Sequence, residues 1–496
     1  RTCRKYVSDL RKPLFAAAAP KIWPISPAGA VRERSRAARL GSVSENQKAA
    51  NPQAQADDTP EQIQVRLEKR KKLLEKGVEA YPVELPITTT IPEIREKFEG
   101  IEAGAELTEE RVGVAGRVML SRTGGKICFA TIQDGAGTRI QVILSLANVG
   151  EEALADYKQF VDLGDHLFVE GYIGASRRGE LSVFATSWQI ASKAIRPLPK
   201  VYKNAEGEDV SLSEESRVRL RHLDLITRPA ARDMVRLRAG VMKSLRANFD
   251  RREYIELETP MLQLIHGGAA ARPFTTHINA YDTDLVLRIA PELPLKRLLV
   301  GGIGPIFEIG RNFRNEGTDA SHNPEFTVVE AYQPFADYHD MRLLTRRMIE
   351  AAAVAVHGRP VMPLPDESGA VVLTDISGEW PVVAVCEAVS AAVGEPVAID
   401  TDLDALLAIA RGHEVAVRDG WGPGAVIEGL YDELVERQTV RPTFYVDFPE
   451  ETSPLTAPHR DKPGLVERWD LVAGGMELGT AYSELTDALV QRQRLV

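Results

Sequence analysis

The chain has 496 residues, enough for two or three domains, and its 44% apolar and 27% charged content is that of a soluble globular protein rather than a disordered or collagen-like one. No apolar run approaches the roughly 18 residues that span a bilayer, and three cysteines (Cys3, Cys128, Cys386) are too few and too scattered for a disulfide framework or a zinc cage, so a reducing compartment is the default. The formal net charge of −10 is uneven: residues 1–49 hold 11 Lys/Arg against 3 Asp/Glu, and the remainder holds 50 against 68. An acidic body leaves a nucleic-acid partner open, because binding follows local patches rather than the sum.

Residues 1–57 are rich in Ala, Arg, Pro and Ser without a sustained period and read as a disordered basic arm or linker, with a transit peptide as a lesser alternative. The first residue is Arg, which suggests a fragment or a processed product. Thr59-Pro60-Glu61-Gln62 predicts a helix start, with a capping hydroxyl and Pro at the first helical position, and Gly77 predicts the stop. Arg66, Lys69, Arg70, Lys72 and Lys76 give that helix a basic flank, either a solvated face or a phosphate contact.

From Arg111 to Ile195 the pattern changes to β-rich runs at Val112–Leu120, Ile127–Gln133, Arg139–Leu144, His166–Ile173 and Leu181–Ile190, with a helical stretch Glu151–Phe160 between the third and fourth. Five strands with that helix are the plan of an OB-fold barrel, a common binder of single-stranded nucleic acid, so residues 58–200 form the expected N-terminal domain. Arg196-Pro197-Leu198-Pro199 reads as a linker.

Residues 213–496 read as a larger antiparallel α+β domain. Its predicted elements are a helix Ala230–Asp250 with Val235, Ala239, Met242, Leu245 and Phe249 on one face, a strand ending at Thr259-Pro260, β-runs at 274–289 and 306–335, and a helix near 340–357. A helical insertion follows over about 382–438, then strands at Thr443–Phe448 and Arg468–Leu478. Gly301-Gly302-Ile303-Gly304 lacks the Lys-Ser/Thr of a phosphate-binding P-loop.

The chemistry concentrates in one hairpin, with strands Phe307–Glu316 and Glu325–Gln333 around a polar loop that contributes His322 and Asn323. Residues two apart in a strand share a face, so Arg314 and Glu316 point one way, and Phe326, Glu330 and Tyr332 share a face opposite Thr327, Val329 and Ala331. An ordinary surface hairpin with cross-strand charge pairs accounts for Arg and Glu, but poorly for an aromatic ring, a carboxylate and a phenol on one face. The set suits attack of an amino-acid carboxylate on the α-phosphate of ATP. A planar Arg fork binds paired oxygens, an aromatic ring stacks on adenine, and nearby carboxylates hold Mg²⁺ on the phosphates.

Phe307-Glu308-Ile309-Gly310-Arg311-Asn312-Phe313-Arg314-Asn315-Glu316, with His322-Asn323-Pro324-Glu325-Phe326-Thr327, resembles motif 2 of a class II aminoacyl-tRNA synthetase and is closely similar to the lysine–tRNA ligases. The similarity runs from about Pro60 to the end and includes Gly267–Phe274, Arg288–Leu293 and Gly479–Leu485, while Glu258-Thr259-Pro260 resembles motif 1, the dimerisation element. The resemblance implies ATP-dependent formation of lysyl-adenylate and transfer to tRNA(Lys), in a cytoplasmic homodimer with no membrane contact from this segment. It implies that Arg314 carries the catalytic charge and binds both the α-phosphate and the lysine carboxylate, that Glu316, His322, Asn323 and Phe326 hold ATP, and that Gly268 and Glu292 receive the α-amino group. Glu330 and Tyr332 would read the ε-ammonium, with Tyr482 also lining the lysine site. Glu477 and Glu484 would bind Mg²⁺; seven residues apart, they need a break near Gly479 to share a strand face. In the barrel, Arg122, Phe129, Gln141 and Glu180 would bind the anticodon, with Phe129 stacking on a base; the alternative is a Phe of the barrel core.

Where relatives carry Asn and Tyr, this chain has Thr480 and Pro294, which resembles an actinobacterial branch that includes fusions to a membrane-embedded lysyl-phosphatidylglycerol synthase. The resemblance places motif 3, another wall of the ATP site, well beyond Glu484, and the sequence stops at Val496 without it. That leaves three alternatives to the enzyme open: a fragment of such a fusion, a non-catalytic RNA-binding or regulatory relative, and a relative that lysylates protein. The barrel disfavours the last, and Glu330 and Tyr332 disfavour an aspartate- or asparagine-specific ligase, whose substrates call for a different pocket.

Overall fold

The computed structural model describes residues 60–199, 202–203, 209–210, 212–319 and 322–495. The arm expected over residues 1–57 lies outside them, as do Cys3 and Thr59. The chain divides into two compact units, Arg1–Val78 and Glu79–Val496. In the first, helix α1 (Glu61–Glu75) begins one residue later than expected, because Pro60 has an extended ψ of 136° and caps the helix instead of opening it. Its basic flank is not one free stripe: Arg66 is buried, and Lys72 is 3.7 Å from Glu68, one helical turn away.

The second unit opens with α2 (Ile91–Lys97), started by a reciprocal capping box between Thr90 and Glu93. A closed barrel follows, built of β1 (Glu106–Thr123), β2 (Ile127–Gln133), β3 (Arg139–Ser145), β4 (His166–Ala175) and β5 (Leu181–Ser192) in the order β1-β2-β3-β5-β4. Helix α3 (Glu151–Phe160) sits between β3 and β4, as the sequence predicts. The period of two is visible along β2, where Cys128, Ala130 and Ile132 are buried while Phe129 and Thr131 are half-exposed. Residues 196–199 carry neither helix nor strand.

Helix α4 (Pro229–Asp250) buries Phe249 in a cluster with Tyr254, Phe307, Leu344 and Met348, and Leu245 packs against it. The predicted apolar face is only half right. Val235 and Ala239 are exposed, and this end of the helix meets the barrel through polar contacts instead, Arg236 Nη2 donating to the Gly135 carbonyl at 3.3 Å.

Strands β6 (Ile255–Glu256), β7 (Leu262–Gln263), β8 (Thr275–Ile278) and β9 (Thr283–Leu287) lead to α5 (Glu292–Val300). The hairpin of β10 (Ile306–Phe313) and β11 (Glu325–Tyr332) is antiparallel, and β6 extends it in parallel. Helix α6 (Tyr338–His357) follows. A four-stranded sheet is built of β12 (Val382–Ala384), β13 (Thr443–Pro449), β14 (Leu465–Ala473) and β15 (Met476–Tyr482), in that order. Helices α7 (Val385–Val393), α8 (Leu403–Gly412) and α9 (Pro423–Leu434) lie between β12 and β13 and share a core with Phe448 and Val466. The single run expected over Arg468–Leu478 is two strands, because Gly474 and Gly475, at φ +63° and +72°, turn the chain between them. Among the described residues no helix is long and apolar enough to cross a membrane.

Candidate active site

The site is laid over a buried ionic floor. Arg288, at the end of β9, is fully buried. Its Nη1 donates to Glu308 Oε1 at 2.5 Å and to Thr259 Oγ1 at 2.9 Å, and its Nε donates to the Arg311 carbonyl at 2.8 Å. Glu308 Oε2 accepts the Thr259 hydroxyl at 2.6 Å and the Thr259 N–H at 3.1 Å. Thr259, Arg288 and Glu308, from three separate segments, thus form one knot beneath the hairpin. Gly310 lets it fit: a Cβ there would lie 2.2 Å from Arg288 Nη2. A buried pair of this kind holds geometry, and breaking one partner strands the other charge.

The register of the hairpin pairs Glu308 with Glu330, Ile306 with Tyr332 and Asn312 with Phe326. Phe326, Glu330 and Tyr332 therefore do share a face. The first strand is shorter than expected and ends at Phe313. Arg314 N–H still donates to the Pro324 carbonyl at 2.9 Å, but Asn315 N–H turns to the Arg272 carbonyl at 2.8 Å, so Arg314 and Glu316 belong to the loop and not to a strand.

The residues expected around the amino acid come together. Tyr332 donates its hydroxyl to Glu330 Oε2 at 3.0 Å, and Tyr482 donates to Glu292 Oε1 at 3.0 Å. Gly268 sits against Glu292 with φ +85°, and a Cβ there would fall 2.9 Å from Glu292 Cβ. Burial pushes the Glu330 carboxyl up to about 7, the Tyr332 hydrogen bond opposes this, and the charge of Glu292 adds to it. Both tyrosines are raised, first by burial and then by the surrounding carboxylates. Desolvated carboxylates facing phenols are a receptor for ammonium groups. Pro294 falls in the first turn of α5, where a missing N–H costs no helical bond.

Beside this web lie the residues expected around ATP. The Arg314 guanidinium lies 5.2 Å over the Phe326 ring, and its buried Nε has no partner. Asn312 Oδ1 and Arg288 Nη2 are likewise buried and unpartnered, so three such atoms lie on or under this hairpin. Glu316 Oε1 accepts the Arg272 N–H at 3.3 Å, which ties the loop of the hairpin to residues 267–274. His322 is exposed and holds Asp319 at 2.8 Å, and Asn323 is exposed.

The two expected metal acids have different partners. The β14–β15 register slips at Leu478, pairing Leu471 with Gly479 but Val472 with Glu477, so the required break is present. Glu477 keeps solvent contact, yet the protein around it and then the charge of Asp470, followed by Glu436 and Asp432, push its carboxyl up to about 7. Glu484 Oε2 is 2.6 Å from Lys296 Nζ, the same ammonium that holds Glu292. Among the described residues no three His, Cys, Asp or Glu converge as a closed metal cage. A Mg²⁺ ion carried on ATP needs only one or two carboxylates, because phosphates and water complete its shell; Glu477 and Asp470 feel each other's charge, and Arg468 holds both Asp470 oxygens, at 3.2 and 2.8 Å.

On the barrel, Arg122 pairs across strands with Phe129, Thr131 pairs with Gln141, and Ser182 Oγ donates to Gln141 Oε1 at 3.0 Å. Phe129 is outward-facing, not part of the core. Glu180 is 3.2 Å from Arg95, and both border a recess with Arg139, Gln141 and Arg178. The four expected anticodon residues thus share one face, which Arg95, Arg139 and Arg178 make basic. Those three arginines, like Lys296 and the knot under the hairpin, were not singled out in the sequence. Lys296 alone carried a signal, its spacing of four from Glu292 on a helix.

Comparison with known proteins agrees with this layout. A family model described as tRNA synthetases class II (D, K and N) matches residues 213–496, and one described as OB-fold nucleic acid binding domain matches residues 112–191. The lysine–tRNA ligase of Kineococcus radiotolerans is 49% identical over 446 residues, 90% of this chain and 87% of its own length. That of Mycobacterium tuberculosis is 48% identical over 445 residues, 88% of this chain and 86% of its own. The lysylphosphatidylglycerol biosynthesis bifunctional protein LysX of Mycobacterium marinum is 46% identical over 436 residues, 88% of this chain but 38% of that longer protein. Class II catalytic domain, OB-fold barrel and the extent of this similarity together place the chain in the lysine–tRNA ligase family of class II aminoacyl-tRNA synthetases.

Proposed function

We propose that this ligase activates L-lysine with ATP at the β10–β11 hairpin and passes the lysyl group to tRNA(Lys), with residue roles as follows. The observation that carries the reading is the convergence of Gly268, Glu292, Glu330, Tyr332 and Tyr482, with Arg314 on the loop of the same hairpin, over the Phe326 ring and with its buried Nε unpartnered. Glu292 and Gly268 take the α-ammonium, and Glu330 with Tyr332 takes the ε-ammonium. Arg314 then draws the lysine carboxylate and the α-phosphate together and neutralises the charge that develops on phosphorus. Phe326 stacks under adenine, while Glu316, His322 and Asn323 border the nucleotide. The lysine carboxylate is itself the nucleophile, so no side-chain base is needed and catalysis is positioning plus charge stabilisation. Mg²⁺ arriving with ATP would supply charge neutralisation at the phosphates, with Glu477 and Asp470 as the acids that would hold it; the contact with Lys296 supports a place for Glu484 in the lysine pocket.

Arg122, Phe129, Gln141 and Glu180 read the anticodon by stacking and by hydrogen bonds to base edges. A homodimer is part of the reading: Leu264 and Ile265, next to the Glu258-Thr259-Pro260 segment, are 71% and 81% exposed, which suits a second copy covering them. The cytoplasm, where tRNA and ATP meet, is the proposed location. ATP–pyrophosphate exchange tests the function. Exchange that requires L-lysine and is absent with L-aspartate or L-asparagine is expected; no exchange while tRNA is still bound would replace the enzyme with an RNA-binding relative.

A further inference from the structure

One cation already sits among the carboxylates of the amino-acid pocket. Lys296 Nζ is 2.5 Å from Glu292 Oε1 and 2.6 Å from Glu484 Oε2, and 5.5 Å from the centre of the Tyr482 ring. This is not a surface ion pair. The Lys296 side chain is 23% exposed, and those of Glu292 and Glu484 are 7% and 32% exposed. The spacing of four on α5 puts Glu292 and Lys296 on one helical face, so the contact is built into a rigid element.

The two oxygens of Glu292 are treated differently. Oε1 is held twice, by the Lys296 ammonium and by the Tyr482 hydroxyl at 3.0 Å. Oε2 faces Gly268, close enough that a Cβ there would lie 3.3 Å from it. A carboxylate with one oxygen clamped has its rotamer set, and its second oxygen is presented in a fixed direction. Burial works against the charge on Lys296, but Glu484 and Glu292 outweigh it and the ammonium stays protonated more firmly than a free lysine.

We propose that Lys296 is a positioning residue of the amino-acid site: it clamps Glu292 Oε1 and ties Glu484 to it, so that Glu292 Oε2 beside Gly268 is aimed at the substrate α-ammonium. The inference rests on the reading above that Glu292 and Gly268 receive that group. Lys296 stays in place when lysine binds and does not touch it. Its effect falls on one end of the substrate only, which separates aim from mere support of the fold.

The test is calorimetric binding of L-lysine and of 6-aminohexanoic acid, which keeps the carboxylate and the ε-ammonium but has no α-amino group, to the full chain. Lys296→Met keeps the aliphatic stem and removes the charge. The expected result is about a tenfold or greater rise in the Kd for L-lysine, with that for 6-aminohexanoic acid changed by less than about twofold. Lys296→Arg, which restores charge but not shape, should fall between. If the Met variant fails to fold, the Arg variant carries the test by the same split between ligands. Equal weakening of both ligands, or an unchanged Kd for L-lysine, would overturn the assignment. Wild-type protein that binds neither ligand would overturn the reading of the pocket, and this inference with it.

Discussion

The two halves of the site are built on opposite plans. In the half proposed to take the amino acid the polar groups already have protein partners: Tyr332 on Glu330, Tyr482 and Lys296 on Glu292, Lys296 on Glu484. In the nucleotide half Arg314 Nε and Asn312 Oδ1 have none, and His322 and Asn323 lie in the open. The difference follows from what each half must distinguish. Telling one amino acid from twenty requires carboxylates fixed in direction before the substrate arrives, since an unmet buried charge is what rejects the wrong ligand. A nucleotide brings its own charge and rings, and one planar cation beside an aromatic ring suits both. Beneath both halves the Thr259–Arg288–Glu308 knot supports the shared hairpin.

The sharpest way to break the comparison is to remove the shared floor. Glu308→Ala should lower stability by about 3–5 kcal/mol, because Arg288 would keep its charge with no buried counter-charge. Thermal unfolding measures it, and both ligands should lose affinity together. Loss of lysine binding alone would mean the knot supports only one half.

The barrel gives a control remote from both halves. Phe129→Ala should raise the KM for tRNA(Lys) about tenfold in aminoacylation, from lost base stacking worth about 1–3 kcal/mol. Lysine-dependent pyrophosphate exchange should stay unchanged; a fall in exchange would put Phe129 in communication with the hairpin.

Acidity should separate the halves. The Glu330 carboxyl is raised from 4.5 to about 7, so the folded protein holds this proton more tightly than the unfolded chain. That proton contributes stability present below the ordinary carboxyl range and lost as pH rises through about 7. Lysine, as a cation, needs the ionised form. Its affinity should therefore fall up to about tenfold per unit as pH drops below that value, with proton release on binding. Calorimetry in buffers of different ionisation enthalpy detects the release; affinity flat between pH 5 and 8 would remove Glu330 from the lysine contact.

The hairpin and the barrel were legible in the sequence for the same reason. A period of two, broken by Gly-rich turns, tells which residues share a face, and so Phe326, Glu330 and Tyr332 were grouped correctly, as was the outward Phe129. The break near Gly479 followed from parity alone, and the slip at Leu478 supplies it. What escaped were contacts between segments far apart in the chain. Arg288 meets Glu308 and Thr259 only after three elements pack, and nothing local in their spacing announces it. Glu477 and Glu484 are paired by resemblance alone, and nothing local in their spacing announces the charge of Asp470 near the first or the ammonium of Lys296 on the second. The exposed Val235 and Ala239 on α4 show the same limit: an apolar stripe tells that something covers a helix, not how far along it the cover extends.

The most direct test is the pair of dissociation constants for L-lysine and ATP in the wild type and in Glu330→Gln, a change that removes the charge and keeps the shape. The account predicts that lysine binding weakens about 10- to 100-fold, the loss of a charged hydrogen bond in a desolvated site, while ATP binding stays within about twofold. Equal losses for the two ligands would contradict the claim that the face carrying Glu330 and Tyr332 reads lysine.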